Sequence, residues 1–136
     1  MPYRIQDYDD AMHLHLEGKE LEELFVSALE GTMELLSPDM IVRDVVSKQT
    51  FELEAQNETE LLIEFIQELV EMSRAHDEVY TNITFNDFSD TFLSVELEGG
   101  PADEFGDIIE TISHHEKEVE QNGSGKYEAV LVFNVV

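Results

Sequence analysis

The spacing of apolar residues changes several times along the chain, and each change marks an element. Met12, Leu14 and Leu16 alternate with His13, His15 and Glu17, the two-residue period of a half-buried strand, and Gly18 ends it. From Lys19 to Leu36 the period lengthens, and Leu21, Leu24, Phe25, Ala28, Thr32, Leu35 and Leu36 make one stripe of a helix. Glu20, Glu22 and Glu23 crowd its first turn, where the positive end of the helix dipole favours them. Ser37-Pro38-Asp39 stops it, because proline disfavours helix at the residue before it. Met40 to Gln56 reads as extended, with Phe51, Leu53 and Ala55 alternating against Thr50, Glu52 and Glu54. Asn57 then caps a second helix over Glu58 to Ser73, with Glu60 three residues on as its capping-box partner. The buried face of that helix is Leu61, Leu62, Phe65, Ile66, Leu69 and Met72.

The remainder reads as strands: Val79 to Phe85, Thr91 to Glu98, Ile108 to Glu120 and Lys126 to Val136. Asn86-Asp87 and Ser89-Asp90 supply turn residues, Gly99-Gly100-Pro101 closes a strand, and Ala102 to Asp107 reads as an exposed acidic loop. Gln121-Asn122-Gly123-Ser124-Gly125 is a hairpin signal, since Asn and Gly tolerate positive φ. With no repeat or linker, residues 1–136 form one domain. The element order implies an α+β, two-layer fold in which two helices pack on one face of a mixed, mainly antiparallel sheet. The terminal strand, Ala129 to Val136, is a candidate edge for pairing with a second copy.

Composition narrows the function classes. The chain carries 32 Asp and Glu against 7 Lys and Arg, a formal net charge of −25. Such a surface repels phosphate backbones, so direct nucleic-acid binding is not expected; a basic protein partner, bound cations or a salt-rich, halophilic cytoplasm fits better. The absence of cysteine excludes disulfides and thiolate metal sites and suits a reducing, cytoplasmic compartment. No signal-peptide pattern opens the chain and no apolar run reaches membrane-spanning length.

The chemistry-bearing residues gather at the two ends. Asp7, Asp9 and Asp10 are close enough for two of them to share a hard cation such as Ca²⁺ or Mg²⁺ through oxygen ligands, although the glycine and spaced ligands of an EF-hand loop are missing. A solvated acidic stretch is the plainer reading of the same residues. His13 and His15 share the polar face of their strand and could direct both imidazoles to one metal, or simply stand exposed. His114 and His115 alternate between faces and cannot act as a simple pair. No phosphate loop, nucleophile elbow or His-Glu-x-x-His helix is present, so the chain is not expected to be an enzyme.

Taken together these segments resemble the archease family. Archeases begin with an Asp-His-Thr-Ala-Asp-like motif, followed by a glycine and a Leu-Glu-Glu-x-Phe helix; here Asp7 opens the motif, Gly18 takes the glycine's place and Leu21-Glu22-Glu23-Leu24-Phe25 supplies the helix. Glu60 to Leu69 is similar to the family's second helix. Ile109 to His115 is similar to its Ile-Lys-Ala-Val-Thr-Tyr-His segment, and Ala129 to Val136 to its closing Ala-x-Val-x-Phe-Asp-Ile strand. The resemblance implies a non-enzymatic accessory protein in tRNA splicing and processing, one that promotes guanylylation and turnover of a GTP-dependent, RtcB-type RNA ligase. It also implies a polar site of aspartates and a lysine that binds a divalent metal, calcium or magnesium. Carried over, the site positions are Asp7, Ala11, Glu110, His115 and Asn134, with Asp7, Asp10 and Asn134 as metal donors. Three positions depart from the pattern: alanine replaces the second aspartate, Glu110 the lysine, and Asn134 the last aspartate. Alanine cannot ligate, Asn offers only a neutral oxygen, and Lys-to-Glu reverses charge. Asp10 could replace the lost carboxylate only if the backbone bulged, because a one-residue shift changes the face of a strand. These departures leave an alternative open: an acidic metal-binding module, or a chaperone-like interaction protein with another partner.

Overall fold

The computed structural model describes residues 3–8, 11–36, 47–101 and 109–135, with the side chains of residues 7, 8, 11, 36, 109–117, 134 and 135 outside that description. The element order is β1 (Tyr3–Tyr8), β2 (Ala11–Gly18), α1 (Leu21–Leu36), β3 (Ser47–Glu54), α2 (Glu58–His76), β4 (Glu78–Phe88), β5 (Phe92–Pro101), β6 (Ile109–Gln121) and β7 (Tyr127–Val135). The fold is α+β with two helices on antiparallel strands, as the periodicity implies. The strands, however, form two sheets rather than one: β1-β2-β7-β6 and β3-β5-β4. Every pairing between described strands is antiparallel, so the mixed sheet expected from sequence is not found. The Ser37-Pro38-Asp39 stop, the start of the Met40 to Gln56 stretch (residues 40–46) and the Ala102 to Asp107 loop lie outside the described residues.

Both helices touch both sheets. α1 packs on β1, β2 and β7 of the first sheet and on β4 of the second, while α2 packs on β6 and on β3 and β4. The helices therefore form a middle layer, which explains why α1 is buried around most of its circumference, at Leu24, Phe25, Ser27, Ala28, Leu29, Thr32, Met33 and Leu35. A one-sided apolar stripe cannot reveal this arrangement, because Ser27 counts as polar in sequence yet is buried, and Leu29 and Met33 are buried although they lie off the stripe. Leu14, Leu16, Leu131 and Phe133 close the core from the first sheet, and Leu93, Val95 and Leu97 close it from the second. Phe25 links the layers through ring contacts with Phe65 of α2 and Phe88 of β4 (centroids 5.3 and 5.2 Å apart).

Local chemistry sets the element ends. Gly18 is required by close approach: a Cβ there would lie 2.5 Å from the Leu24 nitrogen in the first turns of α1. The Lys19 N–H donates to the Glu23 carboxylate (2.9 Å), satisfying a donor ahead of the helix. Asn57 caps α2 as its sequence implies, accepting the Glu60 N–H at 3.0 Å, while Glu60 reaches back to the Gln56 N–H at 3.3 Å. α2 runs one turn beyond Ser73 and ends at Asp77 in the left-handed region (φ 52°), with Arg74 and His76 in a last turn where positive charge is favoured. β4 extends through Asn86-Asp87 to Phe88: the turn residues there produce a β-bulge between Phe85 and Asp87, not a chain reversal. The Gln121–Gly125 turn is a hairpin as expected, with Gly125 at φ 87° and Asn122 Oδ1 accepting from the Ser124 and Lys126 amides. β7 lies between β2 and β6, so the terminal strand is central and not an edge.

Candidate functional site

Strand register brings the two ends of the chain together. β2 pairs with β7 such that Ala11 stands opposite Asn134, and β1 pairs with β2 such that Tyr8 stands opposite Ala11 and Asp7 opposite Met12. On the other side of β7, Ile109 stands opposite Val135 and Ile112 opposite Phe133, with a register shift between them that takes in Glu110. Asp7, Ala11, Glu110 and Asn134, spread over more than a hundred residues of sequence, thus occupy the last rungs of four adjacent strands at one end of the first sheet. His115 pairs with Leu131, three rungs further in, in a part of β6 broken by register shifts on both sides. Asp9 and Asp10 lie outside the described residues.

His13 and His15 lie on the face of β2 turned away from Leu14 and Leu16, both partly buried. His15 is held within the sheet: its Nε2 lies 2.8 Å from Gln6 Oε1 and its Nδ1 3.5 Å from Arg4 Nη2. A guanidinium can only donate and an amide oxygen can only accept, so these contacts call on Nδ1 to accept and on Nε2 to donate. A metal at this ring would have to displace Gln6 or Arg4. Among the described residues no group of three or more His, Asp or Glu is placed to hold a metal ion.

A polar network that the sequence does not advertise lies at the start of β4. The Glu78 carboxylate accepts hydrogen bonds from Ser47 Oγ, from Gln49 Nε2 (3.3 Å) and from the Tyr80 hydroxyl (3.2 Å), joining the first rungs of β3 and β4. Burial works to raise the Glu78 pKa, but those three hydrogen bonds, assisted by the charge of His76, outweigh it and hold the carboxyl below its ordinary value. Burial raises the Tyr80 phenol, and the Glu78 charge and hydrogen bond raise it further, so it stays a neutral donor. The only sequence signal was a lone polar Glu ahead of a strand, which is indistinguishable from a solvated one. α1 packs antiparallel along β2, with Gly31 against Leu14 and Tyr3, so its C-terminal turns run toward Ala11. Met33 in those turns touches the Tyr80 amide, which ties α1 to the strand that carries the Glu78 network.

This architecture, two helices between two antiparallel sheets with chain ends meeting on neighbouring strands, is that of archeases. The sequence profile of the Archease protein family (MTH1598/TM1083) matches residues 3–135, and the chain belongs to that family. The solution structure of protein 1598 from Methanobacterium thermoautotrophicum is similar to it at a TM-score of 0.77 and 16% identity, covering 98% of each chain. The crystal structure of an archease from Thermotoga maritima, described as a possible chaperone, is similar at a TM-score of 0.69 and 13% identity, covering 96% of this chain and 95% of that one. No curated protein sequence matches. Among the described residues, no helix is long and apolar enough to cross a membrane.

Proposed function

We propose that this archease is a non-enzymatic accessory protein that engages a protein partner through the end of the first sheet, and that the partner is a GTP-dependent RNA ligase of the RtcB type, whose guanylylation and turnover it promotes. One observation supports the reading: the register sets Ala11 opposite Asn134, with Asp7 and Glu110 on the flanking strands, so residues that the resemblance gives as site positions stand on neighbouring strands. Ala11, Glu110 and Asn134 change the charge and ligating capacity of that surface, so the protein would contact its partner with altered polar groups. Direct RNA binding plays no part, because a net charge of −25 opposes it. The test is to mix the purified protein with such a ligase and follow covalent guanylylation. Faster guanylylation at equimolar protein supports the proposal; an unchanged rate with a competent ligase removes the ligase as partner and leaves a chaperone-like role with a different one.

The same juxtaposition favours a metal reading. Asp7, Asp10 and Asn134 would supply oxygen donors, and Glu110 could add a carboxylate where the family has lysine; oxygen donors of this kind suit Ca²⁺ or Mg²⁺. A bound cation would offset the like charges of the acidic residues at this sheet end. Calorimetric titration with Ca²⁺, Mg²⁺, Mn²⁺ and Zn²⁺ tests it: heat of binding that Asp7→Asn abolishes supports the assignment, and a flat response to all four refutes it.

A further inference from the structure

Among the described residues, the strands at the sheet borders are β1 and β6 in the first sheet and β3 and β4 in the second. An open border is a template for another strand, and proteins usually break it with bulges, proline or short length. β6 and β4 are broken in this way, by four and two register shifts respectively, and β1 is six residues long. β3 has none of these devices: Ser47–Glu54 is an eight-residue strand without proline, paired with β5 in unbroken register.

The backbone direction along β3 follows from one hydrogen bond. The Ala55 N–H donates to the Thr91 carbonyl (2.9 Å), continuing the β3–β5 register by one rung. Hydrogen-bonding residues alternate in an antiparallel ladder, so Gln49, Phe51 and Leu53 turn their amides toward β5. Lys48, Thr50, Glu52 and Glu54 turn theirs outward, and all four are exposed. Lys48 stands opposite Glu98 and shares its face with Glu52, Glu54 and Glu96, yet it makes no ion pair among the described residues. A cation amid glutamates without a partner, on a strand with open amides, is matched by a strand that offers a carboxylate at the right rung.

β3 is such a strand for itself. We propose that β3 pairs antiparallel with β3 of a second copy of this chain, joining the two three-stranded sheets into one of six. A two-fold axis normal to the sheet keeps both core faces on the same side only when residues of like parity stand opposite one another. With the axis at Thr50, Lys48 faces Glu52 of the second copy; with the axis at Phe51, Lys48 faces Glu54. Either way the outward amides meet and two Lys–Glu pairs form across the junction. Opposite charges directly across a strand pair are favourable, and like charges are not.

Sedimentation equilibrium over a wide concentration range, at about 0.15 M salt where the Debye length is about 8 Å, measures the association while limiting the general repulsion between two acidic molecules. The wild-type chain is expected to show a monomer–dimer equilibrium. Thr50→Pro removes an outward N–H that the monomer does not use, so the variant is expected to fold and to associate about tenfold more weakly or worse. Lys48→Glu, which leaves the backbone alone, is expected to be monomeric, as is Glu52→Lys/Glu54→Lys, and an equimolar mixture of the two is expected to restore a dimer. A wild-type chain that stays monomeric throughout overturns the proposal. So does a mixture that fails to associate, or a folded Thr50→Pro variant that dimerises like wild type.

Discussion

The Met33 sulfur accepts the backbone N–H of Tyr80 at 3.3 Å, although the two residues are 47 apart in sequence. β4 is a border strand with a register shift just after Tyr80, and the Tyr80 amide turns to the Met33 sulfur inside the core. Both residues are almost wholly buried, so water cannot satisfy that donor. Ser73 Oγ also donates to the same sulfur, at 3.8 Å, and Met33 thereby ties α1, α2 and β4 at one point. Met33→Leu keeps the volume and removes the acceptor. It is expected to cost about 1–3 kcal/mol, the penalty of an orphaned buried donor, seen as a lower urea midpoint at unchanged m-value. A loss no larger than that of an ordinary Leu–Met exchange elsewhere in the core would assign Met33 a packing role only.

Thr32 presents the opposite imbalance. It is fully buried and its hydroxyl has no hydrogen-bond partner among the described residues. Replacing a hydroxyl that makes no bond with a methyl group of the same shape removes a desolvation cost without opening a cavity. Thr32→Val is expected to raise stability by about 1 kcal/mol, measured by chemical denaturation, because both residues are β-branched and helix propensity barely changes. Destabilisation by the same amount would show that the hydroxyl is satisfied in solution.

The residues that were legible in sequence are those whose role is local. Asn57, the alternation of Met12 to Glu17 and the Asn122–Gly125 turn each specify geometry within a few residues, and all three are found. The division into two sheets was not legible, because it depends on which strands neighbour one another, and β2 finds β7 more than a hundred residues away. Sandwiching of α1 was obscured for a related reason: Ser27 is buried because its hydroxyl bonds the Glu17 and Glu23 carbonyls, which a hydropathy pattern does not register. The location of a polar site is what the family resemblance implies; what the structure adds is the register that sets two of those positions, Ala11 and Asn134, opposite one another across strands distant in sequence. The Glu78 network escaped notice because its donors, Ser47, Gln49 and Tyr80, lie on two strands separated by a helix.

Gly99 marks the tightest approach between β5 and β4. A Cβ added there would collide with the Val79 carbonyl oxygen and lie 2.8 Å from the Tyr80 Cα, both backbone atoms of the facing strand. Backbone cannot step aside as a side-chain tip can, so Gly99→Ala is expected to destabilise by about 3 kcal/mol or more. Gly31→Ala provides the contrast: its Cβ would meet the end of the flexible Leu14 side chain at 2.7 Å, while alanine gains about 1 kcal/mol of helix propensity over glycine. Thermal unfolding of the pair is expected to rank Gly99→Ala far below Gly31→Ala, and equal losses would contradict the tight strand contact.

Glu78 gives the fold a defined response to acid. Its carboxyl has a folded-state pKa below the ordinary value of 4.5, which means that folding favours the ionised form. The stabilisation is therefore complete above that ordinary value and is lost as pH falls through the lower folded-state pKa, where the carboxylate takes up a proton and can no longer accept all three bonds from Ser47, Gln49 and Tyr80. Glu78→Gln keeps the shape but has no charge to lose. It is expected to be less stable than wild type at neutral pH, where the charged acceptor is the stronger one, and to close that gap progressively below about pH 4.5. Urea midpoints of both proteins across that window check the sign. A gap that stays constant with pH would mean that Glu78 has the same proton affinity folded and unfolded, and a gap that widens in acid would mean that its burial outweighs its hydrogen bonds.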